Sequence, residues 1–236
     1  TAGAPAAGDL LSRGRRRIDA RALTHLHADH AIGVERLLTR ISVGTLYLPE
    51  DTDDSDGLLG GILACAERQR TEVVYVGGED LTPAYGGLEL TLYAPLDAGD
   101  ENERGVIVLA AMGELEALIM GDVNSAVERR LVESRELPDV ELLVVGHHGS
   151  KYSTSFELLE AIDADWAAIF VGWNRYGHPT YEALRPTGVL DIEVSRPDEN
   201  ANIPVSANTH GHTDKDDKTR EPPQLRSGQP TAEEVA

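Results

Sequence analysis

Thr24-His25-Leu26-His27-Ala28-Asp29-His30 gathers three imidazoles and one carboxylate in a run of seven residues. Imidazole nitrogen and carboxylate oxygen together suit zinc, iron or manganese. Four such donors at this spacing point to a metal site rather than to surface histidines that are neighbours by chance. Two further polar motifs close apolar runs: Gly121-Asp122 after Glu116–Met120, and Gly146-His147-His148-Gly149-Ser150 after Val140–Val145. A third, Asn174-Arg175-Tyr176-Gly177-His178-Pro179, follows Ala167–Val171. Ligand sites gather at such strand ends, so the motifs are expected to converge.

The elements that position them follow from periodicity. Ile18–Leu23 reads as a strand, and a His-x-His at its end puts both imidazoles on one side, with Asp29-His30 on the following turn. A short helix is expected around Ala6–Ser12, stopped near Gly14, and helical spacing returns at Val34–Leu38. Strands are expected over Ile41–Leu48, Thr71–Val76 and Leu88–Tyr93, with a helix over Gly57–Arg70 and a hairpin of Val106–Ala111 with Glu116–Met120 turning near Gly113. The acidic stretch Asp51–Asp56 lacks the glycine and distal glutamate of an EF-hand loop and reads as a solvated linker. Capping-box spacing at Ser125–Glu128 opens a helix to about Ser134, and at Thr154–Glu157 another to about Ile162. The helix after His178 is expected to be cut short by Pro186, before a last strand pair at Val189–Val194 and Asn202–Val205. This is an α/β (α+β) pattern of mixed sheets covered by helices. The folded domain is expected over residues 1–206, followed by a disordered polar tail over 207–236, where apolar residues nearly vanish and His210 and His212 are incidental.

Composition narrows the chemistry. At 236 residues and 41% apolar, the chain can bury a proper core. The lone Cys65 excludes an internal disulfide and a sulfur-based metal site, so ligands must be His, Asp, Glu or Asn; Cys65 itself reads as a buried thiol. A net charge of −20, from 41 acids against 21 bases, opposes a broad nucleic-acid surface and leaves room only for a local basic groove. Arg13, Arg15, Arg16 and Arg17 read as a solvated helix end in preference to a phosphate contact. No run approaches the roughly 18 apolar residues of a membrane helix.

Thr24 to His30, Asn102 ahead of the hairpin, Gly121-Asp122, Gly146 to Ser155 and Asn174 to Pro179 together resemble the metallo-β-lactamase superfamily. Within it the resemblance is to the nuclease-like domain of ComEC-type DNA-uptake proteins and their stand-alone relatives, over about Gly3 to Pro204. It implies an αββα sandwich with two divalent metal ions, zinc or manganese, in the cleft between its sheets. Carried over by motif, His25 and His27 hold one ion, Asp29 and His30 the other, and Asp122 bridges both. One of His147 and His148 completes the second site; neighbours at a strand end point in opposite directions, so one alone faces the metal, His148 in preference. Asp29, Asp122, His178 and Lys151 are the implied catalytic residues, with Ser150, Asn174 and His147 on the substrate. Two bland alternatives stand beside these: His178 as a structural loop histidine, and Lys151 as a plain surface charge.

Two departures from the pattern matter. No histidine lies between Ala31 and Gly121, and Asn102-Glu103-Arg104-Gly105 has glycine where the ComEC-like pattern has serine, so the first ion is expected to be loosely held. Thr1-Ala2-Gly3 aligns with the end of the family's opening Asp-x-Gly element, so the first strands are expected to be missing and a sheet edge uncovered. The resemblance implies hydrolysis of phosphodiesters, foremost DNA, by hydroxide shared between cations roughly 3.5–4 Å apart. A small-ester hydrolase for a phosphocholine ester or lactone is the first alternative, and a catalytically weak scaffold or binding module the second. A membrane channel domain upstream, in a bacterial membrane-associated competence protein, is the partner the resemblance implies; location is otherwise open.

Overall fold

The computed structural model describes residues 3–50, 54, 56–96, 99–100 and 102–200; Asn202–Val205 and the expected tail lie outside them. Chain order runs α1 (Gly3–Ser12), β1 (Arg17–Ala22), α2 (Ala28–Leu38), β2 (Ser42–Pro49), α3 (Leu59–Gln69), β3 (Glu72–Val76), β4 (Ala84–Tyr85), β5 (Leu88–Tyr93), β6 (Ile107–Met112) and β7 (Leu115–Ile119). Then follow α4 (Ser125–Ser134), β8 (Leu142–Val144), a 3₁₀ turn at Gly146–Gly149, α5 (Phe156–Ile162), β9 (Trp166–Ala168), α6 (Tyr181–Val189), β10 (Glu193–Ser195) and α7 (Pro197–Asn200).

Burial explains the sheets. Thr45 to Pro49 of β2 are buried in succession, as a central strand covered on both faces should be, and β2 lies between β1 and β3 in a parallel sheet of order β1-β2-β3. The second sheet, of order β10-β9-β8-β7-β6-β5-β4, is antiparallel from β4 to β7 and parallel from β7 to β10. Three apolar layers hold the stack. Leu23, Val34, Leu38, Leu46, Leu48, Ile62 and Cys65 fill the space between α2, α3 and the first sheet. Tyr47, Val76, Leu92, Val106 and Val108 lie between the two sheets. Leu118, Val127, Leu131, Leu143, Leu158 and Ile162 pack α4 and α5 onto the second sheet. This is the αββα sandwich.

Four local expectations are revised. The 51–56 stretch is more than linker where it is described: Asp54 Oδ1 accepts from Leu58 N (2.6 Å) and Leu59 N (2.9 Å), and Asp56 Oδ2 accepts from Ala28 N (3.1 Å). Carboxylates there satisfy unpaired N–H groups at two helix starts, where the helix dipole favours a negative charge. Neither capping box forms. Asn124 caps α4, accepting from Ala126 N and Val127 N, and Ser155 caps α5, accepting from Leu158 N. Glu128 is released for another task and lies fully buried, its two oxygens each 2.7 Å from a donor, Thr154 N and Ser155 N. Finally, α6 runs through Pro186 to Val189; the proline ring is buried and its carbonyl still accepts from Leu190 N.

Candidate metal centre

The first motif is clamped between the two sheets. β1 ends at Ala22, so His25 and His27 stand on the connection to α2 rather than on the strand, and the period-two argument does not place them. Leu23 N donates to Tyr47 O in β2 (3.0 Å), while Thr24 O accepts from Val106 N (2.9 Å) at the start of the hairpin. Thus one carbonyl and one amide of the connection tie it to opposite layers. His25 is fully buried, its Nδ1 is 3.1 Å from Thr24 Oγ1, and its Nε2 faces Asp122 Oδ2 at 3.7 Å. The His27 ring meets His25 edge-on, centroids 4.8 Å apart. Asp29 and His30 fall in the first turn of α2, not on a turn before it; the amide groups there favour the Asp29 carboxylate.

Asp122 arrives from β7 and the histidine pair from β8, two adjacent parallel strands whose carboxyl ends open on the same crevice, the usual place for a ligand in such sheets. Gly121 has φ +60 and its carbonyl accepts from His147 N (2.9 Å); a Cβ there would lie 2.9 Å from Thr24 Cβ. His147 and His148 are both left-handed, φ 48 and 54, which non-glycine residues seldom adopt and which functional turns tolerate. The consequence is that the two rings part. His148 Nδ1 lies 2.7 Å from Phe170 O, and a carbonyl can only accept, so Nδ1 carries the proton and Nε2 is turned toward Asp29 Oδ2 (3.3 Å) and Asp122 Oδ2 (3.9 Å). His147 instead lines a cavity of about 270 Å³ with Asp122, Asn102, Asn124 and Tyr152.

Gly149 closes this turn at φ +77, and a Cβ on it would stand 2.6 Å from Pro179 Cβ and 3.1 Å from Pro179 Cα. Gly177 shares that φ but has open space around it. Gly149→Ala is therefore expected to cost about 2–3 kcal/mol and Gly177→Ala about 1 kcal/mol, the difference being the contact with Pro179. Denaturant midpoints of the two variants check this, and equal losses would contradict it.

Asp29, His30, Asp122 and His148 each offer a ligand atom, all within 4.8 Å of one another. His30 Nε2 is 3.2 Å from Asp122 Oδ1, and the His30 ring lies 4.1 Å from that of His25. Asp122, only 4% exposed, is thus met by an imidazole at each of its carboxylate oxygens. Its burial pushes the carboxyl up, but His30, His25 and His148 outweigh that and hold it below the ordinary value. Burial first, then His30, lowers His25 to about 4. Asp29 is held well below the carboxylate range by its hydrogen bond with His148, and the same bond raises His148 to about 9 against the effect of burial.

A divalent cation fits this donor set. His25 Nε2 and His30 Nε2 are buried and make no hydrogen bond, although a carboxylate faces both. Burying such nitrogens without a partner costs free energy that coordination would offset. His148, with Nδ1 committed to a carbonyl, has the outer partner typical of a ligating imidazole.

The remaining expected residues sit around this cluster. The His178 ring is 5.9 Å from His147 and stacked on Tyr176 at 5.8 Å, with Nδ1 buried and unpartnered. Burial, then His147 and His148, lower its pKa. Asn174 spends its amide inside its own loop: Nδ2 donates to Gly172 O and His178 O, and Oδ1 accepts from Tyr176 N and His178 N. Ser150 is buried, its N–H donating to His147 O and its Oγ 3.4 Å from Tyr152 N. Lys151 is exposed, its Nζ 4.8 Å above the Tyr152 ring. Asn102 is a functional candidate that the sequence marks only by its position just ahead of the hairpin; its Oδ1 is buried without a hydrogen-bond partner, and it lines the cavity with Asp122. At the expected serine position, a Cβ on Gly105 would meet Asn102 O at 3.1 Å.

Residues 1–173 match the Metallo-beta-lactamase superfamily. The chain is similar to ComE operon protein 3 of Bacillus subtilis (strain 168), 27% identical over 202 residues that are 82% of this chain and 25% of that protein. It is also similar to Competence protein ComA of Neisseria gonorrhoeae, 27% identical over 194 residues, 80% of this chain and 25% of that protein. The chain therefore spans about a quarter of the length of these curated relatives. Among solved structures, a mutant of the CmlA beta-hydroxylase superposes with a TM-score of 0.52 at 20% identity, covering 77% of this chain and 43% of that one, a likeness of fold alone. With the family match over most of its length and the motif residues gathered in the cleft of the sandwich, the chain belongs to the metallo-β-lactamase superfamily.

Proposed function

We propose that this domain is a metal-dependent hydrolase of phosphodiester bonds in DNA, holding two divalent cations, zinc or manganese. The observation that carries the proposal is Asp122, nearly buried, with His25 and His148 facing its Oδ2 and His30 facing its Oδ1. His25 and His27 with Asp122 would hold one cation, and Asp29, His30 and His148 with Asp122 the other. Bound there, the pair supplies Lewis acidity and a water of lowered proton affinity.

The chain's own groups do the rest. His178, neutral at pH 7 because its pKa is lowered, offers a ring N–H to a phosphoryl or leaving oxygen. His147 faces the same cavity and orients the phosphate; Asn102 Oδ1 can accept from a bound water. Asn174 acts as a positioning residue, fixing the loop that carries His178, and Ser150 holds the turn after the histidine pair. Lys151 adds positive charge beside the cleft.

DNA as the substrate draws support from the likeness to a protein named for competence. In the parent protein a membrane channel domain would be the partner; among the described residues no helix is long and apolar enough to cross a membrane. The net charge of −20 favours a second reading, a small-ester substrate. Single-stranded DNA, bis-nitrophenyl phosphate and a lactone, each assayed with manganese or zinc, separate the two. Cleavage of the first two is expected; cleavage of the lactone alone would overturn the phosphodiester reading. No cleavage together with less than about one bound ion per chain would leave a scaffold.

Ligation has a proton cost that can be measured. In the metal-free chain His148 is protonated at pH 7.5, since its pKa is about 9, whereas His25, at about 4, is already neutral. Cation binding at pH 7.5 is expected to release about one proton per chain, and apparent affinity to rise about tenfold per pH unit until about pH 9. Calorimetry in buffers of different protonation enthalpy reads both. An affinity independent of pH over that window would remove His148 from the ligand set.

A further inference from the structure

Beside the metal cleft lies a second depression of about 310 Å³, between the start of α4, the 150–155 loop and α6. Arg129, Lys151 and Arg185 line it against the carboxylates of Glu157 and Glu182, a local excess of positive charge in a chain of net −20. Among the described residues the three cations make no ion pair; Lys151 Nζ stands over Tyr152 and Arg185 Cζ lies 5.5 Å from the Phe156 ring centre. A cation over a ring keeps its N–H donors for another acceptor. Thr154 lines the same depression, is 3% exposed, and its Oγ1 has no hydrogen-bond partner. An oxyanion would satisfy that hydroxyl and the cations together.

The depression adjoins the metal cavity. Ser125 lines both, and Lys151 in one is the chain neighbour of Tyr152 in the other. Each depression carries an exposed ring on its lining, Tyr152 at 61% in the first and Tyr181 at 74% in the second. Exposed rings beside a basic groove suit a single strand, whose unstacked bases can lie on them, whereas a duplex keeps its bases stacked away.

We infer that Arg129, Lys151 and Arg185, with Thr154, form a phosphate subsite that takes a backbone phosphate of single-stranded DNA next to the one at the metal centre. This rests on the phosphodiesterase reading for its second half only, since binding at the subsite needs no cleavage.

The test uses Arg129→Glu/Arg185→Glu, two exposed residues outside the metal cluster, against Arg15→Glu/Arg16→Glu, which makes the same charge change in the connection from α1 to β1. Fluorescence anisotropy with a labelled oligothymidylate, without added metal, is read over a salt series. Affinity is expected to fall about tenfold or more and the salt slope to shrink by about one in the first variant, with little change in the second. Wild type should prefer the single strand over a duplex of the same length by about tenfold. With metal, the first variant should show a raised KM for oligonucleotide and unchanged turnover of bis-nitrophenyl phosphate. Equal weakening in both variants, or equal affinity for duplex and single strand, overturns the subsite while leaving the hydrolase reading intact. A wild type that binds oligonucleotide through these arginines but cleaves no phosphodiester sinks the hydrolase reading and keeps the subsite.

Discussion

Asp122→Ala is expected to fold, to lose its divalent metal, and to lose phosphodiester hydrolysis by about a thousandfold or more, beyond the ten- to hundredfold typical of removing an outer partner of a ligand. The reason is position. Among the described residues its carboxylate is the one acidic group within 4 Å of His25, His30 and His148 alike, so its removal would strip a donor from both halves of the proposed site. Metal-free stability should fall modestly at neutral pH, because the attraction of the carboxylate to the three imidazoles outweighs the cost of burying it. The discriminating readout is thermal: wild type should gain several degrees on adding zinc or manganese through mass action, and Asp122→Ala should gain none. Asp122→Asn keeps the shape without the charge and should behave nearly as poorly. A variant that binds metal normally and cleaves at the wild-type rate contradicts the assignment.

The second large effect is on stability. Glu128→Ala removes the shared acceptor of Thr154 N and Ser155 N, leaving one buried and one partly buried donor unpaired at about 1–3 kcal/mol each, or roughly 2–6 kcal/mol in all. Glu128→Gln should lose about half as much, because its carbonyl oxygen keeps one bond while its amide turns a donor on the other N–H. Urea midpoints measure both. The damage should reach the site as well: the loop that Glu128 anchors begins at Ser150, one residue past the histidine turn, and Tyr152 O in the same loop accepts from Ser125 N at 2.6 Å. A Glu128→Ala variant as stable as wild type would show that the loop holds itself.

Much of this architecture is readable from the chain because the signals are local. Alternation marks β5 and β2 as strands from the sequence. The alternation read over Ile41–Leu48 does not carry into burial, however: Thr45–Pro49 are buried in succession, and β5 ends on two buried residues, Leu92 and Tyr93. The motif residues, too, were visible by type and by their place at strand ends. What stayed hidden depends on contacts between distant segments. Glu128 looks like the fourth member of a capping box until the 154–155 amides arrive, 26 and 27 residues along the chain. Asp56 looks solvated until it meets the start of α2, 28 residues away. The parting of His147 and His148 could not come from strand alternation, because both backbones are left-handed and the residues sit in a turn. Asn174 reads as a polar group free for substrate, yet its loop consumes its hydrogen bonds.

The central claim, a pair of cations about Asp122, is tested most directly by a crystal grown with manganese or zinc and measured at the metal's absorption edge. Two anomalous peaks are expected roughly 3.5–4 Å apart, one against His25 and His27, the other against Asp29, His30 and His148, with an Asp122 oxygen about 2.0–2.2 Å from each. Peaks elsewhere on the chain, with none within about 3 Å of Asp122, would contradict the account.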